Sequence, residues 1–182
     1  MTAERADAAR NRAKILATAA EIVATQGIDG LTMAEVAAAS GVGVGTLYRR
    51  FGDRSGLAHA LIDAREREFQ QAFLTGPPPL GPGAEPAERL RAFLHALADR
   101  TLAQLDLLLM AETAAPFARF GGAYEAYHQH LSLLLGHLRP PAEAPFLADA
   151  LLAPLAANLV AHRGYLADTL KSGLDRLLLS LG

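Results

Sequence analysis

Thr46, Tyr48, Arg49 and Arg50 fall within five positions of one another, in the short segment from Val44 to Phe51. Two hydroxyls and two guanidiniums so placed are donors and cations, suited to neutralising phosphate oxygens and to pairing with base edges. Arg54 follows four residues later, and a further basic run (Arg5, Arg10, Arg12 and Lys14) precedes them in the chain. Residues 1–54 carry seven Lys/Arg against six acidic residues, and the whole chain has a formal charge of -2, so the placement of these cations matters more than their number.

Other chemistry finds little support. With no cysteine there is no disulfide, thiolate ligand or thiol nucleophile. His128, His130 and His137 lack an i, i+4 pair, and no carboxylate completes a metal-ligand set, so no metal site is expected. No nucleophile elbow, Ser-His-Asp pattern or positioned carboxylate pair is present; the chain is not expected to be an enzyme, and no cofactor is implied. The run Gly41-Val42-Gly43-Val44-Gly45 could suggest a phosphate-cradling loop, but a dinucleotide fingerprint is spaced differently and follows a strand, whereas a helix precedes this one.

The elements that must position these residues are helical. Alanine and leucine dominate, tryptophan is absent, and no alternating strand pattern or internal repeat occurs. Ile15, Leu16, Ala19, Ile22, Val23 and Gln26 trace one face of a first helix over about 6–26, ended by Gly27. Thr32, with Glu35 three residues on, forms a capping box that opens a second helix, and Gly41 stops it. A third helix is predicted over 44–51, ended by Gly52, and a fourth from Asp53 to about Leu74. Small Ala37 permits a close approach, Gly41 permits a sharp turn, and Val36, Val42 and Leu47 supply the apolar contact between two crossed helices. The short third helix is then poorly suited to a core and well suited to a groove, as in helix-turn-helix proteins whose second helix enters the DNA major groove.

Residues 31–57 closely resemble the DNA-binding domain of the tetracycline-repressor (TetR) family. That family's pattern reads Leu-Thr-hydrophobic-x-x-Ile/Val-Ala, then Gly-Val-Ser-x-Gly-Thr-Leu/Ile-Tyr-x-Tyr/His-Phe-x-x-Lys-x-x-Leu. Arg12, Lys14, Ile15 and Leu16 match its basic start of helix 1, and the match runs over about residues 10–62. The resemblance implies that Thr32 caps a helix and meets a phosphate, and that Val44, Gly45, Thr46, Tyr48 and Arg49 face DNA. Arg49 is the candidate for base readout, since arginine pairs bidentately with guanine. Arg54 stands where the family has lysine, Arg50 where it has tyrosine or histidine, and Gly43 where it has serine; both arginines remain candidate DNA contacts.

Beyond residue 74 the Gly76–Gly83 stretch, rich in proline and glycine, reads as a stiff connector. A long helix carrying Leu90, Phe93, Leu94, Leu97, Thr101, Leu105, Leu108 and Leu109 should follow, then a break at Pro116 and Gly121-Gly122. Helices over about 123–138, 143–162 (kinked or split at Pro154) and 165–181 complete the chain. The expected fold is all-α: a three-helix helix-turn-helix domain at 1–52, and an effector-binding and dimerisation domain at 53–182. Its linker helix spans 53–74 and its loop 76–83, with about nine helices in all. Leu147, Leu151, Leu155 and Leu159, with Leu166, Leu170 and Leu174, form stripes expected to pair with a second copy in a four-helix interface. Phe93, Leu97, Met110, Phe117, Phe120, Tyr124, Tyr127 and His128 are the expected lining of a largely apolar effector pocket. Taken with these features, the resemblance implies a transcriptional regulator, an effector-responsive homodimeric repressor binding a palindromic double-stranded operator. The absence of an apolar leader or a span of about 18 apolar residues implies a cytoplasmic protein with no membrane partner. The alternative is a helical small-molecule-binding or scaffold protein without sequence-specific DNA readout, which the glycines at 41, 43 and 45 favour by removing side-chain contacts.

Overall fold

The computed structural model describes residues 2–113 and 117–181, and among them are ten α-helices and no strand-built sheet. The expected break at Pro116 and the side chain of Arg5 lie outside the described residues. Two compact units divide the chain, Met1–Arg67 and Glu68–Gly182, with the division inside one helix. No single helix among the described residues is long and apolar enough to cross a membrane.

The first unit holds α1 (Thr2–Gln26), α2 (Met33–Ser40), α3 (Val44–Phe51) and the beginning of α4 (Arg54–Thr75). Ile15, Leu16, Ala19 and Ile22 of α1 meet Leu31, Met33 and Val36 around α2 in a buried core, joined by Leu47 and by Leu57 and Leu61 of α4. The Thr32 hydroxyl accepts the Glu35 backbone N–H at 3.1 Å, as the cap requires. The reciprocal half of the capping box is replaced, because the Thr32 N–H bonds the Gly30 carbonyl at 2.8 Å, in the turn that precedes it. Gly41 ends α2 at φ 68°, and the Val42 N–H returns to the Ala37 carbonyl at 3.1 Å. This is the glycine-dependent reversal that lets α3 leave at a steep angle.

The second unit contains the remainder of α4 with α5 (Pro86–Ala103), α6 (Leu105–Thr113), α7 (Gly122–Leu135), α8 (Ala144–Leu152), α9 (Ala157–Arg163) and α10 (Ala167–Ser180). The expected long helix after residue 85 is two, because the backbone leaves helical geometry at Gln104 (φ -126°); this raises the helix count from nine to ten. The split at Pro154 is present as a short 3-10 turn, Ala153–Leu155, followed by extended Ala156. At the centre of the unit, the rings of Phe69, Phe73, Phe93, Tyr127 and His130 pack together; Phe73 and Phe93 lie 5.0 Å apart at 81°. Arg91 clasps Asp175 with two bonds of 2.7 and 2.8 Å, and His95 adds a third at 2.8 Å, fastening α5 to α10. Hydrogen bonding from Arg91, followed by that from His95, holds the Asp175 carboxyl down at about 2.

The leucine stripes need correction. Leu151, Leu155, Leu170 and Leu174 are buried within this unit's own core and keep almost no surface for a partner. Leu147 packs partly against that core and Leu159 is half-buried. Leu166 alone of the seven is broadly exposed, at 72%.

His130 sits between Phe73 and Phe93 at 4.6 and 4.9 Å, and its buried Nε2 has no hydrogen-bond partner among the described residues. Burial, then the nearby charge of Arg89, lowers its pKa from 6.5 to about 4. The unfolded chain therefore binds a proton that the folded chain refuses between those two pH values, so folding weakens as pH falls from 6.5 toward 4. The expected slope from this residue is at most about 1.4 kcal/mol per pH unit. Urea unfolding from pH 7 to 4 should show that slope in the wild type and its loss in His130→Phe; equal slopes would contradict the assignment.

Candidate nucleic-acid interface and ligand cleft

α3 buries a single side chain, Leu47, which is fully enclosed. The helical repeat then turns Val44, Gly45, Tyr48 and Arg49 to one outer face, because positions i, i+1, i+4 and i+5 are neighbours around the axis. Val44 is 46% exposed and Tyr48 52%; Gly45 and Arg49 are exposed, and Thr46 is half-buried beside them. Among the described residues no partner holds the side chains of Tyr48 or Arg49. Thr32 lies exposed at the head of α2, its oxygen engaged by the cap while its hydroxyl hydrogen has no partner among the described residues.

The two other expected arginines are engaged within the domain. Arg50 donates from Nη1 to the Ala8 carbonyl at 2.9 Å, tying the end of α3 to the early part of α1. Arg54 donates to the Ile28 carbonyl and lies 3.8 Å from Asp29, bracing the start of α4 against the turn after α1. Lys14 is an addition: its Nζ comes to 4.0 Å from the point where a Cβ on Gly41 would lie, which puts an α1 cation beside the turn between α2 and α3. The basic run at 10–14 was the signal for it, although nothing in the sequence tied Lys14 to that turn. A Cβ at Gly43 or Gly45 would meet open space, so no packing constraint within the domain demands glycine there.

In the second unit an open cleft of about 630 Å³ lies among α6, α7, α8 and the start of α9. Of the expected pocket residues, Phe117, Phe120 and Tyr124 line it. Phe93, Leu97 and Tyr127 are instead buried in the core, while Met110 (37% exposed) and His128 are not part of its lining. The lining is also more polar than expected. Glu112 accepts from Arg119 at 3.2 Å and from the Ala157 N–H at 2.9 Å. Arg119 also donates to the Leu152 carbonyl at 2.8 Å and lies 5.4 Å from the Tyr124 ring centre. The Tyr124 hydroxyl donates to Asp149 at 2.6 Å; burial first, then this bond, push its pKa up to about 12. Sequence periodicity could not have found Glu112, Arg119 and Asp149, which come from three separate elements.

Residues 15–61 match the model of the family described as bacterial regulatory proteins, tetR family. An HTH-type transcriptional regulator of Staphylococcus aureus strain USA300 is 38% identical over 58 residues, 32% of this chain and 31% of that protein; the match thus spans about a third of the relative's length. Among solved structures, a TetR-family transcriptional regulator from Pectobacterium atrosepticum superposes with a TM-score of 0.66 at 20% identity, covering 97% of this chain and 93% of that one. The transcriptional regulator FadR of Bacillus subtilis, solved with stearoyl-CoA, superposes with a TM-score of 0.64 at 15% identity, covering 92% and 96%. At these identities the structural likeness concerns the fold.

The Arg50 bond to α1 has a local consequence. Arg50→Ala should speed backbone hydrogen exchange in the first turns of α1 by about two- to fivefold, as the loss of one exposed charge-assisted bond implies. Arg49→Ala should leave those amides unchanged. Equal protection in all three proteins would contradict the tether.

Proposed function

We propose that the chain, whose residues 15–61 match the tetR family of bacterial regulatory proteins, is a member of that family and a sequence-specific, homodimeric transcriptional repressor whose operator affinity responds to a small-molecule effector. The observation that carries the reading is the division of labour in α3: Leu47 anchors the helix while Val44, Gly45, Thr46, Tyr48 and Arg49 are left facing outward or at the edge of that face. In this reading Arg49 pairs with a guanine edge, Tyr48 and Thr32 hydrogen-bond phosphates, and Lys14 adds a backbone contact. Arg50 and Arg54 hold α1 and α4 in register with α3, and their exposed portions face the same phosphates.

Two copies are needed to present two recognition helices to a two-fold operator, their centres about 34–36 Å apart. Gly173 and Leu177 share one side of α10, and Leu166 caps its start; both leucines are exposed, and Gly173 has open space where a Cβ would be. That surface, with exposed Phe146 on α8, supports an isologous contact to a second copy and takes the place of the buried leucines. In this reading α4, which runs from Arg54 to Thr75, is the element that an effector would displace to change operator affinity.

The test is enrichment of duplexes from a random pool, followed by titration of the enriched and scrambled sequences at several salt concentrations. The enriched duplex should bind at least about a thousandfold more tightly. Arg49→Ala should lose about 10- to 100-fold on the enriched duplex and little on the scrambled one. Equal binding to both duplexes would overturn sequence readout and favour a ligand-binding protein without it.

A further inference from the structure

The cleft of the second unit has an unbalanced charge. Of its lining residues, Arg119 is the only cation, and it is held by its own neighbours, donating from Nη1 to Glu112 and from Nη2 to the Leu152 carbonyl. Both Glu112 oxygens are likewise engaged, one by Arg119 and one by the Ala157 N–H. The pair cancels, and its two side chains are only 17% and 16% exposed. Asp149 remains: its side chain is 57% exposed, and only Oδ1 accepts the Tyr124 hydroxyl. The nearest basic group is His128, 3.6 Å away, and its Nε2 faces the Pro145 carbonyl at 3.1 Å, an acceptor that calls for a hydrogen on that nitrogen.

The rest of the lining is three aromatic rings, Phe117, Phe120 and Tyr124, with Ala118, Ala153, Ala156 and Asn158. Phe117 and Phe120 are 82% and 56% exposed, and Phe120 stands edge-on to Tyr124 at 4.9 Å. Ring faces carry negative quadrupole density and attract cations, while their area favours flat apolar bodies. The single hydroxyl here is directed at a carboxylate and keeps its proton, so it is not offered to an anionic guest.

We propose that this cleft binds an organic cation with a flat apolar body, its protonated amine paired with Asp149 and its body against Phe117 and Phe120. A cleft of about 630 Å³ is of the size that holds drug-sized ligands. The charge argues against the ligand class seen with the Bacillus subtilis FadR structure, since stearoyl-CoA carries several phosphates and no uncommitted cation lines this cleft. The assignment deepens the effector half of the proposed function and rests on that reading for its regulatory consequence alone; ligand binding itself is measured without DNA.

Three probes of one shape but different charge decide it: 1-naphthylmethylamine, 1-naphthylmethanol and 1-naphthoate, titrated into the full-length protein at pH 7.5 by calorimetry. The amine should bind at least about tenfold more tightly than the alcohol, and the carboxylate more weakly than either. Asp149→Asn should bring the amine to the level of the alcohol while leaving the alcohol unchanged, which also shows that the variant is folded. Asp149→Lys should reverse the order in favour of the carboxylate. Binding of the carboxylate as tight as that of the amine in the wild type, an unchanged preference in Asp149→Asn, or no binding of any probe would overturn the proposal. If the amine binds as expected but leaves duplex affinity unchanged, the cation site stands and its effector role fails.

Discussion

One buried side chain, Leu47, attaches α3 to its domain. A helix of eight residues is not stable by itself in water, because nucleation costs more than so few hydrogen bonds return. Enclosing a leucine contributes about 1.5–3 kcal/mol, which makes that contact the main tertiary anchor available to α3. The Gly41 reversal aims the helix and the Leu47 anchor holds it against the domain, so the opposite face can remain polar without weakening the attachment. Arg50 and Arg54 fasten the neighbouring backbone at Ala8 and Ile28, so the outer face of α3 is braced from both sides.

The second unit separates two tasks that residue type alone confuses. Phe69, Phe73, Phe93 and Tyr127 pack into one another and make a core; Phe117, Phe120 and Tyr124 are held around an open cleft. The difference arises from what surrounds the rings. The Glu112–Arg119 pair joins the end of α6, the turn at 118–120, the Leu152 carbonyl and the first N–H of α9, and this polar frame keeps the cleft walls apart. A partly buried ion pair contributes little to stability on balance, but its directional bonds set geometry in a way that apolar contacts do not.

Much of the first unit was legible because its signals are local. The expected bounds of α3, Val44 to Phe51, are those observed, since Gly43 and Gly52 mark both ends. The Thr32 cap, the Gly41 turn and the division at Pro154 were equally readable, each depending on the local chemistry of one residue: a side-chain hydroxyl, a missing Cβ and a missing N–H. The break at Gln104 was not, for no glycine or proline marks it. Nor were the Arg50 and Arg54 bonds, which join residues 42 and 26 positions apart. The leucine stripes of α8 and α10 were visible as stripes, but a stripe does not say whether it faces its own core or another copy; Leu151, Leu155, Leu170 and Leu174 face their own. The pocket was half-read for the same reason, as helical spacing gives Phe93 and Phe120 the same apparent claim to a cavity.

In the proposed function α3, presented by two copies of this chain, reads bases in the major groove. Guanine-N7 methylation interference on an enriched duplex tests it most directly, because N7 lies in that groove within reach of the arginine fork. The account predicts two symmetric clusters of interference about 10 base pairs apart, with one position in each cluster losing its effect in Arg49→Ala. A single cluster, no interference at N7, or a pattern unchanged in the variant would contradict it.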